Sequence, residues 1–483
     1  MAQALLVSFV LAIFSLKASA HPAYPLLASY DEPSRQDLEY VRGRLLELTE
    51  SGATPKKYAE PRKDTKQAKT IPEINQPFYD YLYQGDITLT PAQVDHVVAS
   101  RSKRQAINTK TGMFKRFPND RESVIGYYMT GFYYYDQDLI RKAIHFWEDH
   151  ACIKFEENSN SKSKLKIFNA GANGPCNSYI GKIYDDREQL VNLGHTCMHF
   201  GIIVHEIGHA LGLFHEHTRA DRDKHVIIRK DNLFAGMKHN FDIHPVAEND
   251  NQGVEYDYGS IMHYGQMISS FANNEKLSVM DPTPGNEFHN NTMGQTIKPS
   301  FLDLKMVNKL YECDYKCSEV ENTCKNSGFL NPQNCGKCIC PWGFGGDACE
   351  LRDTGKNGTS SCGGDLTASR RADILNAWVG TPNRVKEIHE SCHWHIRAEK
   401  GQKIKITIQG LRSFVKSKHS WFTSDVGCGN NNVEFKMKED KTLTGYRFCI
   451  HGIGESFVSE DNFVIVSAYA TGMQFFKIQY SIV

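Results

Sequence analysis

The chain has 483 residues, which is more than one hydrophobic core usually organises, so its length excludes a small single-domain protein. Lysine plus arginine and aspartate plus glutamate balance at 56 each. The net charge of the chain therefore does not favour binding to nucleic acid or to an anionic membrane surface. We therefore expect several domains and no nucleic-acid partner.

The amino terminus carries a short apolar run over residues 5–16, which is too brief to span a bilayer. Small residues follow at Ala18, Ser19 and Ala20, where a signal peptidase can cut. We interpret residues 1–20 as a signal peptide; a buried core segment is the alternative, because no basic residue precedes the run. No later run is apolar and long enough for a transmembrane segment, so the sequence predicts a secreted, extracellular protein.

Residues 21–104, here called the amino-terminal segment, contain no cysteine and are polar. Prolines interrupt the charged stretch from Lys56 to Lys69, so we expect little order in this segment. Its end is the basic cluster Arg101-Ser-Lys-Arg104, which is either a solvated loop or a processing site for a basic-specific protease at Arg104. Because a cysteine-rich region starts downstream, we favour processing and assign residues 21–104 to a propeptide.

All fourteen cysteines lie after residue 150 and form three even groups. The groups are Cys152, Cys176, Cys197 and Cys313; then Cys317, Cys324, Cys335, Cys338, Cys340 and Cys349; then Cys362, Cys392, Cys428 and Cys449. With a signal peptide, this pattern predicts an oxidising compartment and seven disulfides, whose pairing composition leaves open. The tripeptides that begin at Asn290 and Asn357 fit N-glycosylation acceptors.

Two stretches, from Asp138 to Trp147 and from Phe200 to Phe214, have the apolar spacing of buried helices. The second stretch contains the pentapeptide His205-Glu206-Ile207-Gly208-His209. Residues four apart on a helix share one face, so His205 and His209 can converge on one metal ion with Glu206 beside them.

A third nitrogen ligand follows, because Gly212 can take the positive φ that ends the helix and brings His215 to the same ion. One zinc ion with three protein ligands keeps a position for water and lowers the pKa of that water to about 7. Glu206 can then take the proton and pass it to the leaving amine. The alternative is that the three histidines have only a structural role in the core and bind no metal. The flanking residues His195, His199, His217 and His263 are each predicted to be structural or surface histidines.

The full string from His205 to His215 is the long metzincin signature, and its continuation through Arg219 resembles the zinc signature of the astacin family. Residues 256–264, Tyr-Asp-Tyr-Gly-Ser-Ile-Met-His-Tyr, resemble that family's Met-turn. The resemblance covers residues 105–313 and implies an α+β metzincin domain whose two subdomains flank an active-site cleft. It also implies an extended peptide substrate that pairs with an edge strand of the sheet.

The same resemblance implies roles for single residues. Met262 forms a hydrophobic base beneath the zinc, Tyr264 swings to hydrogen-bond the tetrahedral intermediate, and Glu216 receives the mature amino terminus at Gln105 or Ala106. It further implies the disulfides Cys152–Cys313 and Cys176–Cys197.

The tetrapeptide that starts at Tyr83 and ends at Asp86 resembles the family's inhibitory motif, with tyrosine in place of phenylalanine. In that motif the aspartate occupies the water position on zinc. Asp86 would therefore be a zinc ligand of the precursor only, and an ordinary Gly-Asp turn is the alternative.

Two further modules are expected downstream. Residues 314–350 resemble an epidermal-growth-factor-like (EGF-like) module, which implies the pairs Cys317–Cys335, Cys324–Cys338 and Cys340–Cys349; a zinc cluster is the alternative. Residues 362–483 contain alternating runs such as 403–408 and 462–466, which predict a β-sandwich. Its pairs Cys362–Cys392 and Cys428–Cys449 resemble a CUB domain. This domain order resembles nematode astacins, and we expect both modules to bind extracellular proteins.

The sequence as a whole predicts a secreted zinc-dependent endopeptidase that is made as a zymogen and cleaves extracellular proteins. A substrate from matrix or cuticle is an expectation from the resemblance alone. Two alternatives stay open: an extracellular binding protein with an inactive protease-like scaffold, and an amidase or other zinc hydrolase.

Overall fold

The structure is a computed structural model, and it describes residues 31–49, 70–102, 124–244, 250–274, 276–358, 362–381, 386–414 and 428–483, with the single residues 26, 116 and 360. The expected signal peptide (1–20), the charged stretch 56–69, the processing site at Arg104 and the mature terminus at 105 or 106 lie outside these residues. Within the described parts, no helix is both long and apolar enough to cross a membrane.

The amino-terminal segment is ordered where it is described. Its elements are α1 (Glu32–Leu46), α2 (Ile71–Asn75), β1 (Ile87–Thr88) and α3 (Pro91–Ser102). Val41 and Leu45 of α1 pack with Val94 and Val97 of α3 in one buried cluster. The expectation of little order is therefore wrong for these residues, because their few apolar side chains recur at helical spacing and share one face.

A six-stranded sheet supports residues 124–313, here called the central domain. Its further strands are β2 (Ile125–Thr130), β3 (Phe155–Glu157), β4 (Lys164–Phe168), β5 (Cys176–Tyr179) and β6 (Glu188–Leu193). The strand order is β1-β5-β6-β4-β2-β3; β5 is antiparallel to β6, and the other neighbours are parallel. The edge position beside β5 is therefore filled by β1 of the amino-terminal segment, where Ile87 pairs with Ser178.

Two α-helices of the central domain accompany the sheet, α4 (Tyr134–His150) and α5 (Phe200–Ala210). Trp147 of α4 is fully buried and donates its indole N–H to the carbonyl of Val204 in α5 at 3.2 Å, which fixes the two helices against each other. The second helix ends at Ala210 rather than Phe214, because Gly212 takes a φ of 107° and reverses the chain.

The chain after α5 is mostly irregular. Its described residues include several short 3-10 helices, the strand pair β7 (Val226–Ile228) with β8 (Met280–Pro282), and the helix α6 (Phe301–Leu310). The Asp303 carboxylate caps α6 and also accepts hydrogen bonds from the Ser260 hydroxyl at 2.5 Å and the Ile261 amide at 2.8 Å. The start of α6 thus fixes the segment that carries Met262.

All fourteen cysteines form disulfides. The pairs are Cys152–Cys313, Cys176–Cys197, Cys317–Cys335, Cys324–Cys338, Cys340–Cys349, Cys362–Cys392 and Cys428–Cys449. They are the same pairs that the resemblance implies. Because no pair joins two of the three groups, each region of the chain is cross-linked by itself.

The region after the central domain is built from strands. The disulfide-rich part holds β9 (Phe329–Asn331), β10 (Asn334–Ile339), β11 (Phe344–Gly345) and β12 (Leu351–Arg352). The C-terminal strands are β13 (Gly363–Thr367), β14 (Asp373–Gly380), β15 (Glu390–Arg397), β16 (Ile404–Phe414), β17 (Asn431–Lys436), β18 (Tyr446–Phe448), β19 (Ser456–Val458), β20 (Phe463–Ala470) and β21 (Met473–Ile482). They form sheets in the orders β13-β15-β20-β17-β18 and β14-β21-β16-β19. The predicted β-rich C-terminal region is confirmed, and we call residues 362–483 the C-terminal sandwich.

The C-terminal sandwich is docked on the central domain through buried polar contacts. Thr444 donates its backbone N–H and its hydroxyl to the Asp257 carboxylate at 3.2 and 2.9 Å. The same carboxylate accepts from the Gly259 amide at 3.0 Å, while the Asp257 amide donates to Glu216 at 2.9 Å. A Cβ on Gly259 would lie 2.3 Å from the Thr444 side chain, so the close approach requires glycine there. The sandwich therefore contacts the turn that leads to Met262.

We expect Thr444→Val to loosen this docked turn. The substitution removes one hydrogen bond to a buried carboxylate, which stabilises by about 1.5–3 kcal/mol. Hydrogen exchange of a peptide that covers Tyr256 to Tyr264 should become faster. Thr442→Val is the matched control, since the buried Thr442 hydroxyl donates to Asp440 at 2.6 Å inside the sandwich. Equal exchange in both variants would contradict a role of Thr444 in docking.

Candidate active site

Three imidazoles converge at the end of α5. His205 and His209 lie one turn apart on the helix, and His215 reaches them after the turn at Gly212. The three ring centroids are 4.6, 4.8 and 5.5 Å apart, and all three side chains are buried. The structure therefore brings together the three histidines that the sequence predicts as metal ligands.

The Nδ1 atom of each imidazole faces an oxygen that can only accept a hydrogen bond. His205 Nδ1 lies 2.8 Å from the Ile261 carbonyl, and His209 Nδ1 lies 2.7 Å from the Leu213 carbonyl. His215 Nδ1 lies 3.0 Å from the side-chain oxygen of Gln84. The proton of each neutral ring is therefore on Nδ1, and each Nε2 keeps a lone pair for a metal ion.

The fourth group is the carboxylate of Asp86. Its oxygens lie 3.2 Å from His215 Nε2, 3.4 Å from His205 Nε2 and 3.6 Å from His209 Nε2. A tetrahedral zinc ion with ligands at about 2.0–2.1 Å separates neighbouring ligand atoms by about 3.3 Å, so the spacing fits zinc. Among the described residues, His205 Nε2, His209 Nε2 and one Asp86 oxygen have no hydrogen-bond partner although they are buried. A bound cation would satisfy these atoms.

The protonation states also suit metal binding. Burial alone would raise the pKa of the Asp86 carboxyl, but the facing imidazoles hold that pKa well below its usual range. Burial lowers the pKa of His209 to about 4 and also lowers the pKa of His215. At neutral pH the site thus contains an ionised Asp86 and neutral imidazoles at His209 and His215, which are the forms that ligate metals.

Glu206 lies on α5 between the two helical histidines and is fully buried. Neither carboxyl oxygen has a hydrogen-bond partner among the described residues. Burial raises the pKa of the Glu206 carboxyl well above its usual range, and the nearby charge of Asp86 adds to that rise. A carboxyl group in such surroundings can take up and return a proton near neutral pH.

Met262 packs directly against α5. Its sulfur lies 3.2 Å from the position that a Cβ on Gly208 would take, which is closer than an ordinary van der Waals contact. The Met262 carbonyl accepts a hydrogen bond from the Glu216 amide at 3.0 Å. Met262 therefore packs against α5, which carries His205 and His209, and hydrogen-bonds the residue after His215.

Tyr264 contacts the amino-terminal segment. Its hydroxyl donates to the backbone carbonyl of Gln84, and its ring stacks on His217 with centroids 4.0 Å apart. His217 Nε2 lies 3.3 Å from the Asn240 carbonyl, and His217 is not in the group that can hold a metal ion. His217 is thus a packing residue, as the sequence predicts for it.

Glu216 is held in a polar network next to His215. Its carboxylate accepts from Arg219 Nη1 at 3.0 Å and from the Asp257 amide at 2.9 Å. Burial raises the pKa of Glu216 to about 8, although the charge of Arg219 opposes that rise. The residue also lines a cavity of about 170 Å³ whose wall includes Val254 and Leu302.

The two expected glycosylation acceptors lie away from the metal site. Thr292, the third residue of the first tripeptide, is fully buried and accepts a hydrogen bond from the Arg447 amide at 3.2 Å. The Asn357 side chain accepts from the Gly380 amide at 3.0 Å and donates to the Trp378 carbonyl at 3.4 Å. Glycosylation at Asn290 and Asn357 remains a prediction.

Sequence reasoning missed two side chains at the site, Gln84 and Asn75. Asn75 is fully buried and donates to the Gly85 carbonyl at 2.8 Å, while its side-chain oxygen accepts from the Cys176 amide at 2.8 Å. Asn75 thereby fixes the turn before Asp86 against β5. No local sequence pattern predicts a role for Asn75. Gln84 lies at the second position of the inhibitory motif, where the motif specifies no residue type.

The chain is similar to known proteins. A sequence model of the family described as Astacin (Peptidase family M12A) matches residues 115–312. Zinc metalloproteinase nas-31 of Caenorhabditis elegans is 32% identical over 421 residues, which cover 83% of this chain and 64% of that protein. Zinc metalloproteinase nas-27 of the same organism is 32% identical over 407 residues, which cover 81% of this chain and 87% of that protein.

Among solved structures, High choriolytic enzyme 1, a hatching enzyme zinc-protease from Oryzias latipes, is 29% identical. It covers 43% of this chain and 99% of its own length, with a TM-score of 0.37. The relatives confirm the family resemblance, the expected enzyme class and the single catalytic zinc. The alignment with nas-27 extends over most of both proteins, and on that ground this chain belongs to the astacin family of zinc metalloendopeptidases.

Proposed function

We propose that this protein is a secreted zinc endopeptidase that is made as a zymogen and cleaves extracellular proteins. The observation that carries the proposal is the Asp86 carboxylate, which lies 3.2 to 3.6 Å from the three imidazole Nε2 atoms. A carboxylate of the chain itself occupies the place that an attacking water needs. The seven disulfides are consistent with an oxidising, extracellular setting.

The proposed chemistry assigns one role to each residue. A zinc ion held by His205, His209 and His215 supplies Lewis acidity and lowers the pKa of a water molecule to about 7. Glu206 takes the proton of the water that attacks the peptide carbonyl carbon, and it returns the proton to the amine nitrogen as the C–N bond breaks. Tyr264, once it leaves the Gln84 carbonyl, donates its hydroxyl to the oxygen that gains negative charge.

Latency would come from the way the amino-terminal segment fills the cleft. Asp86 faces the metal site, and β1 fills the sheet edge beside β5, where an extended substrate would otherwise pair. Gly85 has a φ of 76°, and a Cβ there would lie 3.1 Å from the Tyr264 hydroxyl oxygen and 3.3 Å from the Phe271 ring. This tight fit explains why a glycine precedes Asp86.

The domain organisation is proposed as follows: signal peptide 1–20, propeptide 21–104, protease domain 105–313, EGF-like module 314–350 and CUB domain 362–483. The disulfide pairs within 314–350 and the two-sheet architecture of the C-terminal sandwich support the last two assignments. For the protease domain we propose two subdomains that flank the cleft. The downstream modules would bind extracellular proteins, and matrix or cuticle proteins are the proposed substrates.

Activation would follow cleavage after Arg104 and release of the amino-terminal segment by a processing protease. We propose that the new amino terminus enters the cavity beside Glu216, whose side chain is 13% exposed and lines that cavity. The positive charge of the terminus would lower the pKa of Glu216 and stabilise its ionised form. Amino-terminal sequencing of the active protein distinguishes Gln105 from Ala106 as the first residue.

Removal of the metal is expected to abolish proteolysis by the processed enzyme. Without an ion at the three histidines, water is not activated, so cleavage of casein should stop in 1,10-phenanthroline and return with added zinc. The isomer 1,7-phenanthroline, which does not chelate, is the matched control. Metal analysis should find one zinc ion per chain. Cleavage that persists in metal-free protein would overturn the proposal.

The same assay separates the alternatives. An inactive binding scaffold would contain zinc but cleave no protein. An amidase or other zinc hydrolase would act on small amides but leave casein and folded proteins intact. Mass-spectrometric mapping of the cleaved bonds in a peptide library then gives the preferred residues on each side of the bond.

A further inference from the structure

The three metal-site histidines differ in where their Nδ1 partners come from. The partners of His205 and His209 are backbone carbonyls of the central domain, at Ile261 and Leu213. The partner of His215 is the side-chain oxygen of Gln84, which belongs to the amino-terminal segment. Two histidines therefore keep their orientation after the segment leaves, whereas the third loses its hydrogen-bond acceptor.

Gln84 is held rigidly for this contact. It is fully buried and has a φ of 47°, a left-handed conformation that few residues other than glycine adopt. Its backbone carbonyl accepts from the Tyr264 hydroxyl, and its side-chain nitrogen lies 3.0 Å from His244 Nε2. Contacts on both sides of the residue thus fix where its amide points.

The orientation of the amide fixes the proton on His215. In the observed orientation the Gln84 side-chain nitrogen donates to His244 Nε2, and the Gln84 oxygen faces His215 Nδ1. The opposite orientation would place the NH₂ group against Nδ1 and move the His215 proton to Nε2. A protonated Nε2 cannot bind a metal ion.

We propose that Gln84 is a positioning residue which raises the zinc affinity of the precursor by holding His215 in its metal-binding orientation. The amino-terminal segment would then serve zinc retention as well as latency, through a residue other than Asp86. This inference rests on the proposed metal site. Hydrogen-bond partners of this kind typically change metal affinity by about 10- to 100-fold.

The test compares zinc affinity between full-length precursors by competition with a chromogenic chelator. All of them carry Arg104→Ala to block processing at the expected site. Gln84→Leu removes the acceptor and is expected to raise the Kd for zinc by about 10- to 100-fold. Gln84→Glu keeps an acceptor for His215 Nδ1 and should bind zinc at least as tightly as the unsubstituted precursor. If Gln84→Leu does not fold, Gln84→Met provides an unbranched side chain of similar length.

The outcomes separate the inference from the proposed function. A precursor with unchanged Gln84 that binds no zinc would refute the metal site itself. Zinc binding that is equally tight in the Gln84→Leu, Gln84→Glu and unsubstituted precursors would overturn the inference alone. As a further control, precursors with intact Arg104 are processed to mature enzymes of identical sequence, because Gln84 is then removed. Their zinc affinities should be equal.

Discussion

Glu206→Gln in the processed enzyme should lower kcat by about 10²- to 10⁴-fold, the usual contribution of a general acid–base group. The substitution keeps the size of the side chain but removes its ability to take a proton. Glu206 is not among the four groups whose atoms can hold the metal ion, so the protein should keep one zinc per chain. The measurement is the rate of peptide cleavage together with metal analysis of the same sample.

Two results would contradict this role of Glu206. One is a cleavage rate within a few-fold of the unsubstituted enzyme while zinc is retained. The other is a loss of zinc from the variant, which would make Glu206 part of the metal site. Glu148→Gln is a suitable control, because that carboxyl lies on α4 and hydrogen-bonds the Phe155 amide at 2.7 Å, away from the metal ligands.

Asp86→Ala should give an uncleaved precursor that hydrolyses short peptides. The Asp86 carboxylate faces the three Nε2 atoms as a metal ligand, and we take the stabilisation by one hydrogen bond to a charged group, about 1.5–3 kcal/mol, as a lower bound for its contact with the ion. Loss of one such contact shifts an equilibrium by about 10- to 150-fold, so the activity of the precursor should rise by at least this order. Arg104→Ala in the same chain would block processing at the expected site during the assay.

Asp95→Ala is the matched control for loss of a carboxylate from the amino-terminal segment. Asp95 accepts from the Tyr40 hydroxyl at 2.9 Å and from Arg44 Nε at 2.6 Å, so it stabilises the segment without contact to the metal site. The Asp95 variant should remain latent. If the Asp86 variant is no more active than the unsubstituted precursor, the other contacts of the segment are sufficient for latency.

The two substitutions at the inhibitory turn should have different effects on the activity of the precursor. Asp86→Ala removes the group that blocks the water position, so activity should rise. Gln84→Leu weakens zinc binding, so activity should not rise. The difference follows from geometry, since Asp86 faces the Nε2 atoms and Gln84 faces Nδ1 of His215.

The local chemistry of the metal site could be predicted because it depends on residues close in sequence. The helical period places His205 and His209 on one face, and the positive φ of Gly212 is a property that glycine supplies. The sequence spacing of the three histidines therefore specifies most of the metal ligands. Asp86 could be predicted as a ligand only from the family resemblance, because it lies far from the histidines in sequence.

The order of the amino-terminal segment could not be predicted from composition. A polar segment with few apolar residues is stable only when another surface buries them, and here β5 and the cleft provide that surface. Asn75 shows the same limit, because its partners at Gly85 and Cys176 are brought to it by the fold.

The sequence by itself determined the zinc-binding string, its general base, the three cysteine groups and the β-rich C-terminal region, because each follows from spacing or periodicity within a short stretch. Only the tertiary structure decided that Gln84 contacts His215 and that Thr444 fixes the turn at Asp257. These contacts join residues 131 and 187 positions apart. Such pairs leave no periodic signal in the chain, because packing of separate elements, rather than local backbone preference, brings them together.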